Sequence, residues 1–156
     1  MSLKDDLKNL EEASGQARYI QPGRGNLIIK KLKYVTGGDG IGKYVAECLI
    51  QASDGPNNPE GEIASSVWRA NWEGHQREMK SFLAAASREP LALGKDFVKQ
   101  VTAFFGEDQP LRGRKVAFIA EEKPGKGGIP SKYPKITWNR VDQTDAETEQ
   151  FRARFE

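Results

Sequence analysis

Residues 26–53, NLIIKKLKYVTGGDGIGKYVAECLIQAS, decide the fold. The first part interleaves Leu, Ile, Tyr and Val with Lys30, Lys31 and Lys33, the make-up of a half-exposed strand. GGDGIG (37–42) supplies a glycine turn, and KYVAECLIQAS (43–53) alternates again. Tyr44, Ala46, Cys48 and Ile50 fall on one side of that second run, with Val45, Glu47, Leu49 and Gln51 on the other. Two alternating runs around a glycine turn predict a β-hairpin. The turn also satisfies G-x-x-x-x-G-K, the phosphate-cradling pattern. Against nucleotide hydrolysis, Tyr44 stands where Mg²⁺ binding needs Ser or Thr. The preceding run also carries three lysines, where a strand feeding a phosphate loop is normally apolar on both faces. A hairpin loop whose Lys43 and backbone N–H groups touch phosphate is the better reading.

Outward from the hairpin, the chain keeps a period of 2 and then changes it. DGPNNPEG (54–61) is a dense turn, and EIASSVWRANW (62–72) reads as a third strand. Within 74–88, Met79, Phe82, Leu83 and Ala86 make a helical stripe, ended before Pro90. Asp96 is the expected N-cap of a second helix with Phe97, Val98, Val101, Phe104 and Phe105 inward, stopped by Gly106. LRGRKVAFIAEE (111–122) and PKITWNRV (134–141) read as fourth and fifth strands, joined by the Lys/Gly/Pro loop EKPGKGGIPSKY (122–133). The predicted class is mainly β with helices, in the order β-β-β-α-α-β-β. That is the order of an OB-fold, a five-stranded Greek-key barrel. A five-stranded antiparallel sheet with helices on one face fits the same order and is the fallback.

The chain's 156 residues suit one domain, and 37% hydrophobic residues suffice for a core. The expected division is an N-terminal helix or arm over 1–22 with Leu3, Leu7 and Leu10 on one face, the OB domain over 23–141, and an acidic tail over 142–156. The net charge of +2 is unevenly spread: −2 over 1–13, −3 over 142–156 and +7 between. A basic body with acidic ends points towards a polyanionic partner. One Cys and one His fall short of a Cys/His zinc site and of a disulfide, so no metal or cofactor is expected and the expected compartment is the cytoplasm. No apolar run spans a bilayer, and MSLKDDLKNLEE has no secretory h-region, so neither membrane nor export is expected.

No catalytic constellation assembles. Cys48 sits among apolar neighbours as a structural cysteine does, and His75 lies at the start of the first helical stripe without a paired nucleophile. The expectation is a non-enzyme. Aromatics beside cations are the productive signal, because single-strand binders combine flat rings for base stacking with charges that track the backbone. The candidate binding residues are Lys31, Lys33 and Tyr34, with Lys43 and Tyr44 across the turn, and Trp68, Arg69 and Trp72 on the third strand. Arg112 and Arg114 on the fourth strand join them, with Lys126, Lys132, Tyr133 and Lys135 in and after the last loop. Trp72, at a strand end, is expected exposed; Trp138, in phase with Ile136, is expected in the core. For Trp68 neither face is plainly the core.

Over about residues 23–141 the chain resembles bacteriophage OB-fold single-stranded DNA-binding proteins. The resemblance rests on the two-strand opening GRGNLIIKKLKYVTGGDGIGKYVAECLIQAS, on SVWRANW, on the K-x-F-L-A-A-A helix, and on the G-R-x-V strand before a Lys/Gly loop and YPKITW. It implies a non-catalytic coat for single-stranded DNA in phage replication or recombination, working in the host cytoplasm. It also implies partner proteins recruited through an acidic tail; a homo-oligomer is a further expectation. Here the tail departs from that pattern: Arg152 and Arg154 interrupt its acidic run, and Glu156 follows Phe155. It can fold back over the basic groove or dock as a short helix. A protein-interaction module without nucleic-acid binding is the other reading of the same surface.

Overall fold

Alternation around the glycine turn produces a long hairpin. In the computed structural model, which describes residues 18–87, 90–122 and 134–156, β2 (Gly23–Thr36) runs antiparallel to β3 (Gly42–Ser53). A two-residue strand, β1 (Arg18–Tyr19), precedes them. Lys126, Lys132, Tyr133 and the expected N-terminal helix lie outside the described residues. The turn closes with Gly40 N–H donating to Gly37 O at 3.0 Å and Ile41 N–H to Asp39 Oδ1 at 3.0 Å. No helix follows it, so GGDGIGK is a hairpin loop and not a loop-to-helix phosphate cradle.

β2 is long because it serves two partners. Register shifts between Asn26 and Leu27 and between Ile29 and Lys31 bend it, as bulges do. Gly23–Ile28 pair with β5 (Lys115–Glu121) on the side away from β3. Gly25 sits where these ladders crowd: a Cβ there would lie 2.1 Å from Ala52 O and 2.9 Å from the Phe118 ring. β4 (Ile63–Arg69) pairs with β3, and β6 (Lys135–Arg140) pairs with β5. The order is β1-β4-β3-β2-β5-β6, an open sheet of five antiparallel strands extended by β1, which pairs parallel with β4. The sheet thus begins ahead of residue 23.

Two helices connect β4 to β5. α1 (Glu73–Ala86) buries Met79, Phe82, Leu83 and Ala86, the stripe expected from spacing. Phe82 is the hub: its ring lies 5.1 Å from Trp68 on β4 and 4.9 Å from Trp138 on β6. Helix α1 so draws β4 and β6 towards each other. Register settles Trp68, which pairs with Tyr44 two positions from the buried Ala46 row and is 1% exposed. α2 (Gly94–Phe104) starts two residues before Asp96, with Leu93 at its N-cap. Val101 and Phe104 are buried as expected; Val98 turns outward at 64% exposure, a correction to its inward reading.

Polar side chains finish what the sheet leaves open. Just ahead of β5, Gly113 N–H donates to Ile29 O at 2.8 Å and Ile29 N–H to Arg114 O at 2.9 Å. Further along the same edge, Gln109 bonds both Leu32 N–H and Leu32 O at 2.7 Å. The last turn of α1 carries no basic residue, and its carbonyls are met from the sheet instead: Arg114 Nε donates to Ala86 O at 2.9 Å, and Arg140 donates to Ser87 O.

The C-terminal segment forms α3 (Asp145–Arg154), with Thr144 Oγ1 accepting from Glu147 N–H at 3.1 Å. Arg152 anchors it by donating to Asp108 O at 2.7 Å and Gln109 O at 2.5 Å. Gly113 has φ +88°, and a Cβ there would meet Thr148 O at 2.4 Å, so the helix backbone packs directly on this turn. Of the two readings of the tail, the docked helix is the one observed. No helix among the described residues is long and apolar enough to cross a membrane.

Candidate nucleic-acid interface

At the end of β4 the chain makes a tight reversal into α1, with Ala70 N–H donating to Gly42 O at 2.9 Å and Trp72 N–H to Arg69 O at 3.2 Å. Trp72 holds the N-cap position in an extended conformation, so its ring projects from the corner and is 49% exposed. The Arg69 guanidinium lies 4.7 Å from the Trp72 ring centre, and the His75 ring also 4.7 Å. His75 Nδ1 accepts the Arg69 backbone N–H at 2.9 Å, which fixes the imidazole from below. Asp39, from the hairpin loop, bonds Arg69 Nη2 at 3.3 Å. The Ile41 N–H holds the Asp39 carboxyl below its ordinary value of 3.8 despite slight desolvation, with help from the charges of Lys43 and Arg69. Loop, strand end and helix start are therefore fastened into one corner.

This corner opens on a cleft of about 340 Å³ between β4 and β6, lined among others by Tyr19, Lys43, Ser65, Arg69, Trp72 and Ile136. Lys43 and Arg69 are register neighbours, so both cations share the sheet face that borders it. Ser65 Oγ and Arg69 Nε are buried and have no hydrogen-bond partner among the described residues.

The sequence-predicted residues divide sharply. Lys43, Arg69 and Trp72 come together at this corner, and exposed Lys31 lies on the same face further along β2. Lys33 shares that face but pairs with Glu47, a carboxylate only 7% exposed, and freeing the lysine would leave a buried charge unpaired. Trp68 is core, and its Nε1 donates to Glu78 Oε2 at 3.0 Å, so its ring has no free face for a base. Arg114 is 7% exposed at the end of α1, and Arg112 Nε donates to Lys30 O at 2.9 Å. These two arginines complete the protein's own backbone. Lys135 is exposed on β6 beside Glu121.

Tyr34 and Tyr44 pair across the hairpin with rings 4.9 Å apart, and Tyr44 meets Phe105 at 4.9 Å. They stand on the helix side of the sheet, away from the Lys43–Arg69 face, in a second cleft of about 610 Å³ that also takes in Phe97 and Val101. Partial burial, then Tyr34, pushes the Tyr44 phenol above its ordinary value. Sequence reading missed Asp39 and His75 as members of the corner, and Ser65 in the cleft it opens on. The spacing of His75 three residues after Trp72, on one helix start, was the available signal.

Among the described residues no cluster of three or more His, Cys, Asp or Glu side chains is placed to hold a metal ion. Cys48 is fully buried, and desolvation pushes its thiol far above the ordinary value, which suits packing and not nucleophilic attack. No protein-family model and no curated protein matches this chain.

Proposed function

We propose that this chain binds single-stranded DNA without catalysis, using the Lys43–Arg69–Trp72 corner and the sheet face that carries Lys31. The observation that carries the reading is the half-exposed Trp72 ring held against Arg69 at the mouth of an open cleft. A ring so fixed offers a stacking surface at little cost in side-chain freedom, and base stacking on such a ring contributes about 1–3 kcal/mol. The adjoining cations favour a phosphate backbone regardless of sequence.

The finer fold reading, an OB-type Greek-key barrel, belongs to this proposal. Its support is the strand order: β5 returns to lie beside β2, whose hairpin continues into β3 and β4, the 4-1-2-3 arrangement of a Greek key. The convergence of β4 and β6 on Phe82 adds to it. In that fold the face of the second and third strands, with the loops joining strands one to two and four to five, grips oligonucleotides, and here the first of those loops delivers Asp39 and Lys43 to the corner. A role in phage replication or recombination is the setting in which the resemblance places such a protein.

The test is fluorescence anisotropy with a labelled oligo-dT of ~30 nucleotides and the matching duplex at ~50 mM salt. Binding to the single strand well above the duplex is expected; no binding, or equal binding to both, overturns the proposal. A second reading, protein recognition without nucleic acid, draws on the Tyr34–Phe97–Val101 cleft and on exposed Val98 at its rim. Oligonucleotide binding that survives Tyr34→Ala and Val98→Asp unchanged assigns that cleft no part in strand binding.

A further inference from the structure

The cleft between β4 and β6 holds two buried polar atoms that nothing in the described residues satisfies, Ser65 Oγ and Arg69 Nε. Buried polar groups are ordinarily hydrogen-bonded, so two orphans in one opening need an explanation. Ser65 is 8% exposed, and both residues line the cleft. They stand on the same face of β4, four residues and so about 13 Å apart along the strand. A free base is too short to reach both; a nucleotide, with its base at one end and its phosphate at the other, has the required span.

The two ends differ in charge. Beside Ser65 in the ladder stands Glu47, neutralised by Lys33. At the corner Lys43 and Arg69 face the carboxylate of Asp39, two cations to one anion, while Glu78, which also lines the cleft, accepts from Trp68 Nε1. We infer that the cleft is a mononucleotide subsite: the base lies inward with its edge on Ser65 Oγ, and the phosphate lies at the Arg69–Lys43 end, accepting from Arg69 Nε. A hydroxyl both donates and accepts, so Ser65 tolerates any base, while Arg69 Nε–H donates only and fits a phosphate oxygen. Trp72 at the mouth is then left to stack the neighbouring base. This inference rests on the strand-binding proposal and gives it a fixed register: one base inserted beside one stacked.

The experiment uses the full chain and thymidine 5′-monophosphate, with thymidine and inorganic phosphate as separate probes. The Arg69 Nε–H resonance is followed by NMR, and oligo-dT affinity by anisotropy. The expected result is a saturable Arg69 Nε–H shift with the nucleotide and a weaker or absent one with either fragment. Ser65→Ala removes a hydroxyl that has no partner, so it should leave the melting temperature unchanged or raised. It should also weaken oligo-dT binding about two- to tenfold, the net worth of one hydrogen bond. Unchanged oligo-dT affinity in Ser65→Ala overturns the subsite while strand binding stands. An Arg69 shift given equally by inorganic phosphate also overturns it, leaving an anion site only. A nucleotide-specific shift without any oligo-dT binding keeps the subsite and overturns the strand-binding reading.

Discussion

Trp72 and Trp68 lie four residues apart, one half-exposed and one buried, so on the strand-binding proposal truncating each gives opposite signatures. Trp68 is 1% exposed, packs on Phe82 at 5.1 Å and Trp138 at 6.5 Å, and donates to Glu78. Trp68→Ala therefore opens a cavity at the point where α1 holds β4 against β6, at a cost of about 3–5 kcal/mol. For a chain of this length each kcal/mol shifts the melting temperature by about 2–4 °C, so a fall of roughly 6–20 °C is expected. Trp72 is 49% exposed, and its chief partners are the Arg69 guanidinium and the His75 ring. Trp72→Ala loses an exposed cation–π contact, about 0.5–1 kcal/mol of stability. As a stacking surface it should lose about 1–3 kcal/mol of oligonucleotide binding, roughly 5- to 150-fold in Kd. Circular-dichroism melts and anisotropy with labelled oligo-dT, both well below the melting temperature, measure the pair. Trp72→Phe should recover most of the affinity. An unchanged Kd in Trp72→Ala refutes the stacking role, and weakened binding with an unchanged melt in Trp68→Ala refutes the assignment of faces.

Three further outcomes follow from the polar framework. Gln109→Ala strands both backbone groups of fully buried Leu32 and should cost about 2–5 kcal/mol in urea unfolding; a loss under ~1 kcal/mol contradicts the edge-capping role. Burial raises the folded-state pKa of Cys48, so the neutral thiol contributes stability that is fully present below 9.0, the ordinary thiol value, and declines as pH rises beyond it. Unfolding free energy should fall above that pH more in the wild type than in Cys48→Ala, and rapid thiol labelling of the folded protein at pH 8 would count against it. Deleting 145–156 removes the Arg152 anchor and should lower the melting temperature while leaving oligo-dT affinity unchanged at ~50 mM salt. Tighter binding in that truncation would instead make the segment a competitor for the basic face.

Elements with one unambiguous period were legible. The hairpin over 26–53, the helix carrying Met79 and Phe82, and the last two strands sit where alternation or the 3.6 period puts them, except that the strand expected from Leu111 starts at Lys115, so Arg112 and Arg114 precede it. The third strand ends at Arg69 and not at Trp72, because Ala70 and Trp72 N–H turn back to Gly42 and Arg69. Trp68 was ambiguous since Ala64 and Ser66 on its side are no more apolar than Ile63 and Val67 opposite. Only pairing with β3 distinguishes the faces, and pairing is a long-range property. α3 was hard to see for another reason: none of its residues is buried, so it carries no apolar stripe. Its local signal was the capping pair Thr144 and Glu147, three residues apart.

For the site, residue type and net charge were legible and availability was not. Lys33, Arg112, Arg114 and Arg140 look in sequence like Lys31, Lys43, Arg69 and Lys135, yet the first four are bound to Glu47 or to backbone carbonyls. The +7 of the chain's body therefore overstates the charge a strand can meet. The candidates left among the described residues are Lys31, Lys43, Arg69 and Lys135, to which Lys126 and Lys132 add two more. Each phosphate neutralised on a single strand contributes about 0.7 to the slope of log K against log salt, so the slope should lie between roughly −2 and −4. The decisive comparison is between two single variants in that titration. Lys43→Gln should make the slope shallower by about 0.7, the loss of one phosphate contact. Arg112→Gln, which removes a donor from Lys30 O, should cost stability and leave the slope as it was. Equal slope changes in the two variants would mean that the arginine meets the strand too, and the division between framework and binding cations would fail.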